Sequence, residues 1–167
     1  MTKKNLNTYF EFQSTMILRE RIIEILFNLS SYPYRKYVKT SEKWNVTKSA
    51  LLHYPQGSIG HELGLFLESN GFDLLEKSEK HDVFHVITNY STSIVDEIAM
   101  QYFLLGNGKR SPYLFFVIAI GTFYYPDKLN YFKTAYQKGK VPKPFFNFDF
   151  YNHLGMNLNE FKNSNNL

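Results

Sequence analysis

Wherever this chain shows a period, its apolar residues recur at helical spacing. Ile17, Leu18, Ile22, Ile25, Leu26 and Leu29 do so, with Arg19, Glu20, Arg21 and Glu24 between them, which predicts an amphipathic helix over residues 15–30. Ser31-Tyr32-Pro33 stops it. Residues 33–45 are polar and aromatic, with Trp44 as an anchor. The turn Tyr54-Pro55-Gln56-Gly57-Ser58 ends at a cap and predicts a helix from about 59 to 69, closed by Asn70-Gly71. Residues 72–79 offer at most one helical turn, and 80–88 a helix ending at Asn89, a residue that tolerates the left-handed conformation. Ser93 caps the next helix, with Asp96 three residues on as a shorter-armed capping box, and Gly106-Asn107-Gly108 terminates it after Leu105. Ser111-Pro112 starts another. Its body, Leu114 to Phe123, is apolar on nearly every side, which predicts the central buried helix. Pro126 opens an amphipathic helix ending at Gly139, Val141-Pro142-Lys143-Pro144 forces an extended segment, and a short helix follows near 157–162, with fraying over 163–167. No strand pattern, internal repeat or linker appears. The prediction is one all-α domain spanning residues 1–167, with about six or seven helices.

A chain of 167 residues that is 44% hydrophobic can build one core. Its aromatic content, 18%, serves either core filling or the lining of a pocket for a large apolar ligand. The formal net charge of +4 is spread along the chain without Lys/Arg runs, which argues against a nucleic-acid partner. Arg35, Lys36 and Lys39, interleaved with Tyr34 and Tyr37, could meet phosphates or anionic lipid heads, or form a solvated loop. There is no cysteine, so thiolate ligation is excluded. The basic start, Met1-Thr2-Lys3-Lys4, is followed by no apolar run. The longest apolar segment, Tyr113 to Tyr125, is too short to span a bilayer. The expected location is cytoplasmic, with a peripheral place on the inner membrane face as the variant.

His81-Asp82-Val83-Phe84-His85, followed by Glu97, carries the chemistry. On a helix, His81 and His85 lie one turn apart on one face, where two imidazoles can reach one ion, as in the HExxH metalloproteases. Asp82 adds a carboxylate beside them. Glu97, about one turn into the next helix, either faces back as a ligand or is a plain glutamate favoured by the helix dipole. Two nitrogens and up to two carboxylates suit a divalent metal of intermediate softness. The alternative is two unrelated surface histidines. His53, His61 and His153 are weaker candidates, each of a kind more often satisfied locally. Peptide hydrolysis fits poorly, because Asp82 stands where a glutamate base is needed. No P-loop, dinucleotide glycine fingerprint or GxSxG elbow is present. The His81-Asp82 pair is also found in HD phosphohydrolases, but those leave His85 unexplained.

At these residues the chain resembles the ubiquinone-biosynthesis family of the fourth coenzyme Q protein. The family hallmark, His-Asp-x-x-His, eleven residues, then Glu, stands here as His81, Asp82, His85 and Glu97. Tyr54-Pro55-Gln56-Gly57-Ser58-Ile59-Gly60 resembles its Tyr-Pro-x-Gly-Thr-x-Gly turn, and Gly139-Lys140 with Phe145 to Tyr151 resembles its basic-glycine step and aspartate-aromatic segment. The likeness spans about residues 20–160. Asn89 and Asp96 stand where the family has glycine, and Glu160 stands near the place of its late arginine.

The resemblance implies an all-α protein holding a divalent metal, most often zinc, with Fe2+, Mn2+ or Mg2+ as alternatives, through His81, Asp82, His85 and Glu97. It implies a prenylated hydroxybenzoate-type precursor as ligand and oxidative removal of its carboxylate at ring carbon one, through those same four residues. It also implies partners: other quinone-biosynthesis enzymes, a membrane surface and a second copy in a homodimer. Walls for the isoprenoid tail are expected from the 114–123 helix and the apolar face of 98–105. The competing reading is a non-enzymatic prenyl-lipid scaffold, and a third is a metal-dependent phosphohydrolase.

Overall fold

The computed structural model describes residues 18–23, 25–26, 43–75 and 78–167. The predicted basic-aromatic patch of Tyr34 to Lys39, together with Ile17, Leu29 and the Ser31–Pro33 stop, lies outside them. Residues 18–23 and 25–26 are helical. They are followed by α1 (Lys48–Leu52), α2 (Ile59–Ser69), α3 (Glu79–Thr88), α4 (Ile94–Gly106), α5 (Pro112–Tyr124), α6 (Leu129–Gly139) and α7 (Leu158–Ser164). Short 3-10 turns at Pro126–Lys128 and Tyr151–His153 complete the elements. Among the described residues there is no strand, only an isolated antiparallel bridge between Ser58 and Asn157. The all-α prediction holds.

The punctuation residues act as read. Ser58, Ser93 and Ser111 each accept a backbone N–H of their helix's first turn, from His61, Asp96 and Leu114. Asn89 ends α3 with φ 58°. The capping box at Ser93 is only half formed: the Asp96 carboxylate turns instead to Ser91, accepting from its N–H at 3.0 Å and its hydroxyl at 2.6 Å. The five-residue α1, capped by Thr47, has too few turns to show a period and was not predicted.

The central helix is α4, not α5. Ile98, Ala99, Met100, Phe103 and Leu104 are at most 3% exposed, and α4 packs most extensively on α6. On α5 only Leu114, Val117 and Gly121 are buried, and Gly121 admits the Ile98 side chain. Phe115, Phe116 and Phe123 face outward, at 49%, 38% and 77% exposure. Uniform hydrophobicity thus marks an outer helix whose outer face has stayed apolar.

The N-terminal helical residues dock differently from their predicted stripe. Ile23 is buried, whereas Leu18 and Ile25 are exposed. The reason is Arg19, one turn before Ile23 on the same face. Its guanidinium lies 4.0 Å from the centre of the Tyr125 ring and donates to the Tyr124 carbonyl and Asp127.

The aromatic load fills the core. Phe145, Phe150 and Phe161 are buried and interlock with Phe84 and Phe148 at centroid separations of 5.0–6.4 Å. The C-terminal segment also seats α2. Ile59 and Gly60 donate to the carbonyls of Met156 and Leu154, and Leu158 donates to that of Gly57. Gly60 is needed there because a Cβ would press on Tyr54 and the Leu154 carbonyl. The end of the chain does not fray as predicted: Asn165 is buried and donates to the Phe161 carbonyl, and Leu167 N–H donates to that of Lys162.

Candidate metal centre

Glu97 sits in the first turn of α4, where the chain has just reversed at Asn89 and been capped by Ser93. The reversal turns Glu97 back onto α3. His85 Nε2 lies 3.0 Å from Glu97 Oε1, His81 Nε2 lies 3.3 Å from Glu97 Oε2, and the two Nε2 atoms are 3.2 Å apart. Glu97 is therefore no bystander in a helix start.

His85 is the anchored member. Its side chain is 2% exposed, against 33% for His81 and 25% for Glu97. Phe66 of α2 stacks on its ring at 5.3 Å, and its Nδ1 donates to the Tyr90 carbonyl at 3.0 Å. That bond leaves Nε2 facing the other two groups.

The cluster sets its own charge state. Burial works against ionisation of Glu97, but the His81 charge and hydrogen bonds from both imidazoles outweigh it and hold the carboxyl far below the usual range. Burial likewise pushes His85 down, but the Glu97 hydrogen bond and charge, with the Tyr90 carbonyl, win and raise it. Asp82 is pushed up to about 6 by burial, with partial relief from His81 and His85.

Asp82 stands outside the group that the structure brings together: the candidate ligand atoms of His81, His85 and Glu97 all lie within 4.8 Å of one another, and Asp82 is not among them. One residue on from His81, it is turned about 100° round the helix. His53, His61 and His153 do not join the cluster either. Their Nδ1 atoms are engaged by the Ser49 carbonyl, Glu62 and the Asp149 carbonyl. Phe66 and the Tyr90 carbonyl are members that sequence reading missed. Only Asn89, as a left-handed residue just before Tyr90, hinted at the second.

The donor set fits a divalent cation. Four ligands about 2.0–2.1 Å from a tetrahedral zinc are about 3.3 Å apart; the two Nε2 atoms are 3.2 Å apart and each meets a different oxygen of Glu97, at 3.0 and 3.3 Å, so the carboxylate can turn either oxygen toward an ion between the rings. Borderline nitrogen with carboxylate oxygen also admits iron or manganese.

A cleft of about 660 Å³ opens beside the cluster, with His85, Phe66, Leu65, Val86, Tyr90 and Leu158 in its wall. None of its lining comes from residues 98–105 or from α5, where the tail-binding walls were expected. Glu62 and Glu68 line it, and among the described residues no lysine or arginine does; Lys162 reaches its edge through Asn89.

Fold and cluster together define an all-α protein with a two-helix His–His–Glu group that could hold a metal ion. The sequence matches no family model and no curated protein. The fold does match a solved structure, that of a protein from Nostoc punctiforme PCC 73102 assigned provisionally to ubiquinone biosynthesis. The TM-score is 0.58 over 98% of this chain and 89% of that one, at 15% identity. At that identity the likeness is one of fold. Among the described residues no helix is long and apolar enough to cross a membrane.

Proposed function

We propose that this chain binds a divalent metal, zinc first, through His81, His85 and Glu97, and takes a prenylated hydroxybenzoate-type quinone precursor in the adjoining cleft. The observation that carries the reading is the convergence of two imidazoles and one carboxylate from two helices, with one ligand atom from each all within 4.8 Å of one another. The provisional assignment of the Nostoc protein of the same fold to ubiquinone biosynthesis supports the choice of pathway.

A bound divalent ion supplies Lewis acidity toward a phenolate or carboxylate oxygen. The chain's own residues do the rest. His85, pinned by Phe66 and the Tyr90 carbonyl, fixes the edge of the cleft that meets the precursor's head group. Glu62 and Glu68 repel a free carboxylate, so the acidic head is directed to the cluster. Leu65, Phe66, Val86 and Leu158 offer apolar area to the ring and the first prenyl units. Asp82, outside the ligand group, adds negative charge that favours a cation. The reaction inferred is oxidative removal of the ring-one carboxylate, which leaves as carbon dioxide while dioxygen supplies the new hydroxyl oxygen and a two-electron donor reduces the other oxygen atom to water; zinc is redox-inactive, so this step calls for iron or manganese at the site or for another quinone-biosynthesis enzyme. The exposed Phe115, Phe116 and Phe123 of α5, preceded by Lys109 and Arg110, suit an anionic membrane surface from which a prenylated substrate would come.

The test is elemental analysis of the purified protein, with mass spectrometry of any lipid it carries. One equivalent of metal is expected in the wild-type chain and none in His81→Ala/His85→Ala, with a prenylated phenol among the extracted lipids. Stoichiometric metal in the double variant would sink the ligand assignment, and a phospholipid alone would sink the substrate class.

A further inference from the structure

The reversal after α3 does more than connect two helices. Asn89 adopts φ 58° and ψ 21°, and its N–H closes the last turn of α3 on the carbonyl of His85. The next carbonyl, that of Tyr90, is thereby brought back over α3, where it accepts from His85 Nδ1 at 3.0 Å. One residue thus bonds the backbone of His85 and directs the group that holds its ring. The Asn89 side chain is held in turn by α7, where Lys162 Nζ donates to its Oδ1 at 3.1 Å.

We propose that Asn89 is a positioning residue for the metal centre: its left-handed backbone aims the Tyr90 carbonyl at His85 Nδ1, so the ring keeps a proton there and presents Nε2 to Glu97 and His81. The role rests on the metal reading for its purpose, though not for its geometry. Glycine and asparagine enter the left-handed region readily, whereas alanine and serine are penalised there. At position 89 they draw the backbone toward right-handed values, and the Tyr90 carbonyl swings off the ring. His85 is then free to flip, with either nitrogen toward Glu97. The Lys162 contact is a separate matter, and glycine separates the two: it keeps the backbone and loses the side-chain bond.

The experiment has two arms, on wild type, Asn89→Gly, Asn89→Ala and Asn89→Ser. In metal-free protein, NMR of labelled imidazole reads whether His85 Nδ1–H gives a downfield, slowly exchanging resonance. Zinc affinity is then measured by competition with a chelator. Wild type and Asn89→Gly are expected to show the resonance and to bind zinc alike. Asn89→Ala, and to a smaller extent Asn89→Ser, should lose it and bind about 10–100-fold more weakly, with helix content unchanged. A persistent resonance and wild-type affinity in Asn89→Ala would overturn the proposal. So would an Asn89→Gly variant as impaired as Asn89→Ala, because the backbone would then not be the cause. A wild-type chain that takes up no zinc defeats the metal reading alone, since the resonance in metal-free protein still decides the role of Asn89.

Discussion

Gly106 and Gly139 meet where α4 crosses α6, each pressed against the other helix's backbone. A Cβ on Gly106 would strike the Tyr136 carbonyl, and one on Gly139 would strike that of Phe103. Both glycines look like helix stops in the sequence. In the fold they are the last residues of their helices, and their bareness lets the two axes close.

Alanine at either position should therefore cost far more than a change of helix propensity. Backbone atoms cannot rotate aside as side chains do, so the helices must separate. A loss of about 2–3 kcal/mol is expected for each, on the order of 5–10 °C in Tm for a chain of this size. Calorimetry of Gly106→Ala and Gly139→Ala checks this. A Tm within a degree of wild type would show that the crossing is looser than described.

Asn107, next along, is fully buried and uses both ends of its amide. It donates to the Gly139 carbonyl at 3.2 Å and accepts from the N–H groups of Phe145 and Phe146 at 2.9 and 2.8 Å. Asn107→Ala leaves these groups without partners and should cost about 2–4 kcal/mol. Asn107→Asp keeps both acceptor bonds but buries a charge and loses the donor, so it should also destabilise. Urea unfolding with an unchanged slope and a lower midpoint is the expected signature.

Tyr131 donates to Asp96 at 2.7 Å and so ties α6 to the first turn of α4. Burial and this carboxylate push the phenol's ionisation up, while the Ser91 and Tyr131 bonds outweigh burial and hold Asp96 below its ordinary range. Tyr131 is 41% exposed, so Tyr131→Phe should cost only about 0.5–1 kcal/mol. A double-mutant cycle with Asp96→Asn should recover a coupling of the same size. Additive effects would mean that the bond contributes nothing in solution.

Asp82 and Glu97 are both carboxylates of the motif, but they should respond differently. Asp82→Asn should retain one equivalent of metal at reduced affinity, about tenfold. Glu97→Gln should lose stoichiometric binding. Isothermal titration with zinc separates them, and equal loss in both variants would place Asp82 among the ligands.

Much of this was legible in the sequence, for local reasons. Ser58, Ser93, Ser111 and Pro112 declare helix starts because their side chains or rings suit a helix's first turn wherever it occurs. The His81–His85 pair was legible because four residues make just over a full turn. What failed depends on partners. An apolar run such as Leu114–Phe123 is the same string whether both sides are covered or one. The buried face of the N-terminal helical residues is set by Arg19 finding Tyr125, more than a hundred residues away.

The bonds from Met156, Leu154 and Gly57 that seat α2 have a consequence in time. The histidine pair is drawn together by a single turn of helix and needs no residue far from it in the chain. The wall beside it waits for Leu158 and the carbonyls just before it, which the ribosome delivers about seventy residues after His85. A nascent chain therefore carries both imidazoles of the candidate metal centre before it has a cleft. If the pair takes an ion as proposed, selectivity during that interval would rest on the availability of metal and not on the shape of the protein.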